Sequence, residues 1–145
     1  MFPVELKGKV QIGLQNGTTR AVPTANIEEE GNEDALKKLG DGVFYGFAAV
    51  KEPDEEQNNK TSWYDVVTNI GLAVAHESPT IETYILDSSF VSRPLYGAEL
   101  SLILHGKLRN MIKFENSPKG FEQLKQQIGK DVSEAKEKLS KINKG

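Results

Sequence analysis

From Val4 to Leu14 the apolar residues Val4, Leu6, Val10 and Ile12 fall on alternate positions, the period of a strand with one buried face. Gln15 to Val22 is polar, carries Gly17, and reads as a loop delivering the chain into the short turn Pro23-Thr24-Ala25-Asn26. Asn32 can cap a short helix through Leu39, with Leu36 and Leu39 turned inward and Gly40 at its end. Gly42 to Val50 is dense in β-formers, and Gly46 within it marks a bend or the close approach of another backbone. Lys51 to Lys60 is charged, contains Pro53 and no large apolar residue, and reads as an exposed hairpin or insertion. Further strands are predicted at Ser62 to Ile70, Thr80 to Asp87 and Ala98 to Leu108, separated by segments holding Gly71, Pro79, Pro94 and Gly97. Successive short strands without long helices between them point to an antiparallel barrel, not a doubly wound sheet.

The period then changes. Ser117-Pro118 supplies a cap and a first-turn proline, after which Phe121, Leu124, Ile128, Val132, Ala135, Leu139 and Ile142 step by three or four residues. This spacing predicts one amphipathic helix whose apolar stripe packs on the barrel. Gly129 inside it either lowers helix propensity on an exposed face or permits a close crossing.

With 145 residues the chain makes one domain, able to bury about two-thirds of its unfolded surface. A net charge of −3, with lysine and arginine scattered among the acids, offers no broad basic face and argues against nucleic acid as a partner. The absence of cysteine excludes disulfides, thiolate nucleophiles and cysteine-based zinc sites. No apolar run approaches the roughly 18 residues of a membrane span, and the first residues lack the pattern of a signal peptide. The expectation is an intracellular, cytoplasmic protein with no membrane partner, in which Asn16-Gly17-Thr18 and Asn59-Lys60-Thr61 are turn residues and not glycosylation sites.

Two places could carry chemistry. The hydroxyl of Thr24 and the amide of Asn26 lie on so short a segment that they could meet a metal ion and a phosphate together, without a Walker-type lysine. Far along the chain, strand alternation puts Ile81, Thr83 and Ile85 on one face and Glu82, Tyr84 and Leu86 on the other. A carboxylate on such a half-apolar face is either a salt-bridged exposed residue or a general base held in a cleft. The two histidines, His76 and His105, stand too far apart in sequence for a histidine-rich metal site and read as surface or packing residues. Trp63 and Tyr64 read as packing residues. No Gly-x4-Gly-Lys-Ser/Thr motif is present, which excludes a P-loop nucleotidase at the motif level.

Several motifs occur in an order that resembles the riboflavin kinase (flavokinase) family over nearly the whole chain. They are Pro23-Thr24-Ala25-Asn26-Ile27, Gly42-Val43-Phe44-Tyr45-Gly46, Asn69-Ile70-Gly71, Ile81-Glu82-Thr83-Tyr84-Ile85-Leu86-Asp87, Leu95-Tyr96-Gly97, Leu108-Arg109, and the helix from Phe121 to Leu139. The resemblance implies a mainly β fold, a closed six-stranded Greek-key antiparallel barrel with a long C-terminal α-helix packed on it, forming one domain over 1–145. It also implies transfer of the γ-phosphate of ATP to the 5′-hydroxyl of riboflavin, giving FMN and ADP. Thr24 would contact Mg²⁺, Asn26 would help hold metal or phosphate, and Glu82 would be the base. Gly13 and Gly17 would belong to the loop around the nucleotide phosphates, and Arg109 would stand at the ligand site. Two oxygen ligands do not separate Mg²⁺ from Zn²⁺.

Three loops depart from the family pattern. Gly13 to Val22 lacks a middle glycine and has Asn16 where a basic residue is usual; Leu72 to His76 lacks a proline; Met111 stands where an acid is usual. The alternative reading is therefore a non-catalytic barrel of the same family, serving as a binding module or as a subunit of a larger complex. A catalytic copy is expected to be a monomer and, with no adenylyltransferase segment, to stop at FMN.

Overall fold

A computed structural model describes residues 2–11, 24–28, 30–51, 62–71, 80–86, 97–110 and 117–142. Six strands occupy Val4–Gln11 (β1), Thr24–Ile27 (β2), Gly42–Lys51 (β3), Trp63–Gly71 (β4), Thr80–Ile85 (β5) and Glu99–Arg109 (β6). Two helices occupy Glu33–Leu39 (α1) and Pro118–Leu139 (α2). Hydrogen bonding runs β1-β2-β5-β4-β3-β6 and closes from β6 back to β1, every pair antiparallel. Strands β3, β4 and β5 form a meander, with β2 returning beside β5 and β6 beside β3, which is Greek-key connectivity. Closure joins the two outer strands of the order, β1 and β6.

Alternation along the strands divides the apolar residues into two sets. Leu6, Phe44, Val66, Ile70, Ile81, Ile85, Leu100, Leu102 and Leu104 fill the barrel, each at most 2 % exposed. Thr68 and Thr83 are fully buried, and their hydroxyls bond each other across β4 and β5 at 2.9 Å. On the outer wall Val43, Phe47, Val67 and Tyr84 pack with Ala135 and Leu139 of α2. The apolar contact of the helix with the wall is thus made by its C-terminal half, while Gly120 in its first turn is also buried. Ser117 caps its start by accepting from the Gly120 N–H at 3.1 Å.

Three details differ from the sequence expectations, and a fourth selects between two. The segment carrying Thr24 and Asn26 is not a turn but β2, because its backbone pairs with β1 on one side and β5 on the other. Asn32 precedes α1 but does not cap it with its side chain. Its amide instead bonds the N–H and carbonyl of Lys7 and the carbonyl of Glu28, all at 2.9 Å, where the four-residue β2 has ended and β1 would lack a partner. Phe121, expected on the packed stripe, is 44 % exposed. Gly129 takes the first of its two readings: it is exposed, and a Cβ there would meet nothing within 4 Å.

Gly46 does mark a close approach. A side chain there would collide with the Ile103 carbonyl of β6, at the point where the β3–β6 register shifts. The hairpin expected at 51–60 falls almost wholly outside the described residues.

Candidate active site

Strand β2 is too short to contribute much core, but its register places it. Asn26 stands opposite Glu82 of β5, and Glu82 stands opposite Asn69 of β4. Asn26, Glu82 and Asn69 therefore form one row across three adjacent strands, with Cβ atoms about 5 Å apart from strand to strand. Ile27, Ile70 and Ile81, the next residues along, point into the barrel, so the row lies on the outer wall.

Asn26 Oδ1, Glu82 Oε1 and Asn69 Oδ1 are all buried and lack a hydrogen-bond partner. Such atoms are rare in folded proteins, because an unmade buried bond costs the desolvation of the group. Tyr84 lies two residues beyond Glu82 on the same face and is 4 % exposed. Its hydroxyl accepts from Asn69 Nδ2 at 3.3 Å. Burial holds the Glu82 carboxyl above the usual carboxylate range, and interaction with the Tyr84 hydroxyl offsets part of that rise. Burial, reinforced by the Glu82 charge, pushes the Tyr84 phenol upward, so it stays protonated.

Thr24 heads β2 with its backbone opposite Tyr84. The same two strands thus bring together Thr24, Asn26 and Glu82, the three residues singled out for metal, phosphate and base. Gly13 and Gly17 lie outside the described residues. Arg109 is at the end of β6, and its guanidinium is taken up by protein: Nε and Nη2 bond the Asp131 carboxylate at 2.9 and 2.7 Å, and Nη1 bonds the Asn110 carbonyl at 3.0 Å. Gln127 Nε2 donates to the same carboxylate at 3.0 Å. His105 packs edge-on against Phe47, and Trp63 and Tyr64 pack against the two apolar sets, as expected.

Sequence reasoning assigned no role to Asn69 or Tyr84. The signal for Tyr84 was its shared face with Glu82; Asn69 stood in the Asn69-Ile70-Gly71 motif, but only strand register sets it beside Glu82.

The donor set suits a hard cation. Asn26 offers a buried neutral amide oxygen without a partner, and among the described residues no cluster of three or more His, Cys, Asp or Glu could hold a metal. A neutral amide oxygen is a ligand that a hard divalent cation accepts alongside waters and phosphate oxygens.

The riboflavin kinase (Flavokinase) family model matches residues 1–139. Human and mouse riboflavin kinases are each 26 % identical to the chain over 141 residues, covering 95 % of it and 82 % of the relative. A crystal structure of riboflavin kinase from Trypanosoma brucei superposes with a TM-score of 0.74 at 28 % identity, covering 98 % of this chain and 83 % of that one. The chain belongs to the riboflavin kinase family, whose members are ATP-dependent phosphotransferases.

Proposed function

We propose that this protein transfers the γ-phosphoryl group of ATP to the 5′-hydroxyl of riboflavin, with Glu82 as general base. The observation that carries this reading is the buried, unpartnered Glu82 Oε1, flanked by the equally unpartnered amide oxygens of Asn26 and Asn69. The carboxylate takes the proton of the 5′-hydroxyl as that oxygen bonds the γ-phosphorus; the bond from phosphorus to the bridging oxygen breaks, and ADP leaves with its electron pair. Raised proton affinity suits this task, since a base is most effective when its pKa approaches the working pH.

Thr24 and Asn26 would hold the divalent metal through side-chain oxygens, the ligand type that Mg²⁺ takes. When bound, the metal neutralises charge on the phosphates. Gly13 and Gly17 lie in the loop that would supply backbone N–H groups to those phosphates. Arg109 serves this site from a distance, by tying α2 to the end of β6 through Asp131.

Incubation of the purified protein with riboflavin, ATP and Mg²⁺, followed by chromatography, should yield FMN and ADP in equal amounts. Glu82→Gln should lower kcat by about 100-fold or more, the range for loss of a positioned base. No FMN from the parent protein would sink the enzyme reading in favour of a non-catalytic barrel; full activity in Glu82→Gln would sink Glu82 as base.

A further inference from the structure

The proposed reaction uses two of the three acceptors in the row across β2, β5 and β4, and leaves the third, Asn69 Oδ1, without a task. Its orientation is held. Asn69 Nδ2 donates to the Tyr84 hydroxyl at 3.3 Å, and the Tyr84 ring is packed among Val43, Phe47, Val67, Ala135 and Leu139. Anchoring the amide nitrogen sets the amide oxygen on the other side, where it can accept and cannot donate. That oxygen is buried beside the base and accepts no hydrogen bond from the protein.

A ligand that satisfies the row must therefore bring more than one donor. Riboflavin does so, because the primary 5′-hydroxyl that receives the phosphoryl group is next to the secondary 4′-hydroxyl. Two acceptors on neighbouring strands, Glu82 Oε1 and Asn69 Oδ1, match two donors on neighbouring carbons. A site built to bond a substrate hydroxyl discriminates strongly against an analogue that lacks it, because its own polar group is then left unpaired.

We infer that Asn69 determines acceptor specificity: its Oδ1 accepts the hydroxyl adjacent to the one phosphorylated, so the site reads a vicinal diol and not a lone primary alcohol. Tyr84 is a positioning residue that keeps the amide from turning over. The inference rests on the reading of riboflavin as the acceptor and Glu82 as the base.

The test compares riboflavin, 4′-deoxyriboflavin and 2′-deoxyriboflavin as substrates of the parent protein, Asn69→Leu and Tyr84→Phe. Both kcat/KM and the Kd from flavin fluorescence are read. The parent should favour riboflavin over the 4′-deoxy compound by about tenfold or more. Asn69→Leu should bring that ratio to within about threefold of unity, and Tyr84→Phe should move it part of the way. The ratio of riboflavin to the 2′-deoxy compound should not move in either variant.

Equal losses on all three flavins would make Asn69 a packing residue and overturn the inference. A higher magnesium requirement with an unchanged flavin ratio would assign Asn69 to the metal instead, and would overturn it too. Tyr84→Phe keeps the buried ring, so it carries the test if Asn69→Leu does not fold. If the parent forms no product from any flavin, the proposed reaction fails by itself. The Kd ratio of riboflavin to 4′-deoxyriboflavin then decides the inference, and no change in that ratio on Asn69→Leu sinks it.

Discussion

At the residue scale, the carboxylate of Glu82 loses hydration against Tyr84 and the strand face, and its proton affinity rises accordingly. Its neighbours across the strands offer amide oxygens without partners, which give it no hydrogen bond and add two more unmet acceptors. The proposed role of Glu82 as a desolvated base would thus come at the expense of stability. The sign of the pH dependence follows. With its folded pKa raised, Glu82 contributes stability that is fully present below the ordinary glutamate value and is lost as pH rises through the higher folded value. Glu82→Gln removes that loss and supplies an amide donor to the facing oxygens. Its stability should exceed the parent's by about 1–2 kcal/mol at neutral pH, a rise in Tm of roughly 2–8 °C. Thermal unfolding of both proteins from pH 4 to 8 checks this; parallel curves would show that Glu82 is solvated in the folded state. Loss of activity together with higher stability would also separate a chemical role from a structural one.

At the scale of elements, β2 and α2 show how far periodicity reaches. Four residues are too few for a period to declare itself, so β2 reads as a turn in the sequence and becomes a strand through its partners β1 and β5. The long helix is the opposite case. Its spacing ran from Ser117-Pro118 to Ile142 where the helix occupies Pro118–Leu139, yet the same spacing put Phe121 on a packed stripe, and Phe121 is exposed. Apart from Gly120 in its first turn, the buried residues of the helix are Asp131, Ala135 and Leu139, which form its seat on the barrel. Gly129 lies before that seat, exposed, with open space where a Cβ would stand. Gly129→Ala should therefore stabilise the protein by about 0.5–1 kcal/mol through helix propensity alone. A denaturant titration should show a higher midpoint with the same slope; a loss of stability would mean that the glycine serves a contact made elsewhere.

For the whole molecule, the docking of α2 on the barrel wall joins the ends of the chain's architecture. Arg109 and Asp131 contribute a bidentate pair whose side chains are only 19 % and 5 % exposed. Breaking it leaves a half-buried guanidinium without its acceptor, so Asp131→Ala should cost about 2–4 kcal/mol, and Asp131→Asn less. Lys7 and Glu99 meet at 2.8 Å on the surface, 68 % and 38 % exposed, and Lys7→Ala should leave the unfolding midpoint where it was. Equal effects from Asp131→Ala and Lys7→Ala would remove the argument that the buried pair holds the helix. Much of this architecture was legible in the chain. Alternation, density of β-formers and the Gly and Pro between segments marked five of the strands, the three-to-four spacing marked α2, and the lack of long helices between strands pointed to a barrel, because burial on one face imposes such patterns directly on the residues. Ordered motifs extended the reading to six strands and to a phosphotransferase family, and set Thr24, Asn26 and Glu82 apart. What periodicity could not supply was the pairing. Asn26, Glu82 and Asn69 are far apart in sequence and meet only through the register of β2, β5 and β4, while Arg109 acquires Asp131 only when α2 is seated. Local sequence determines which face of a strand is buried; which polar residues share that face across strands is decided by closure of the barrel.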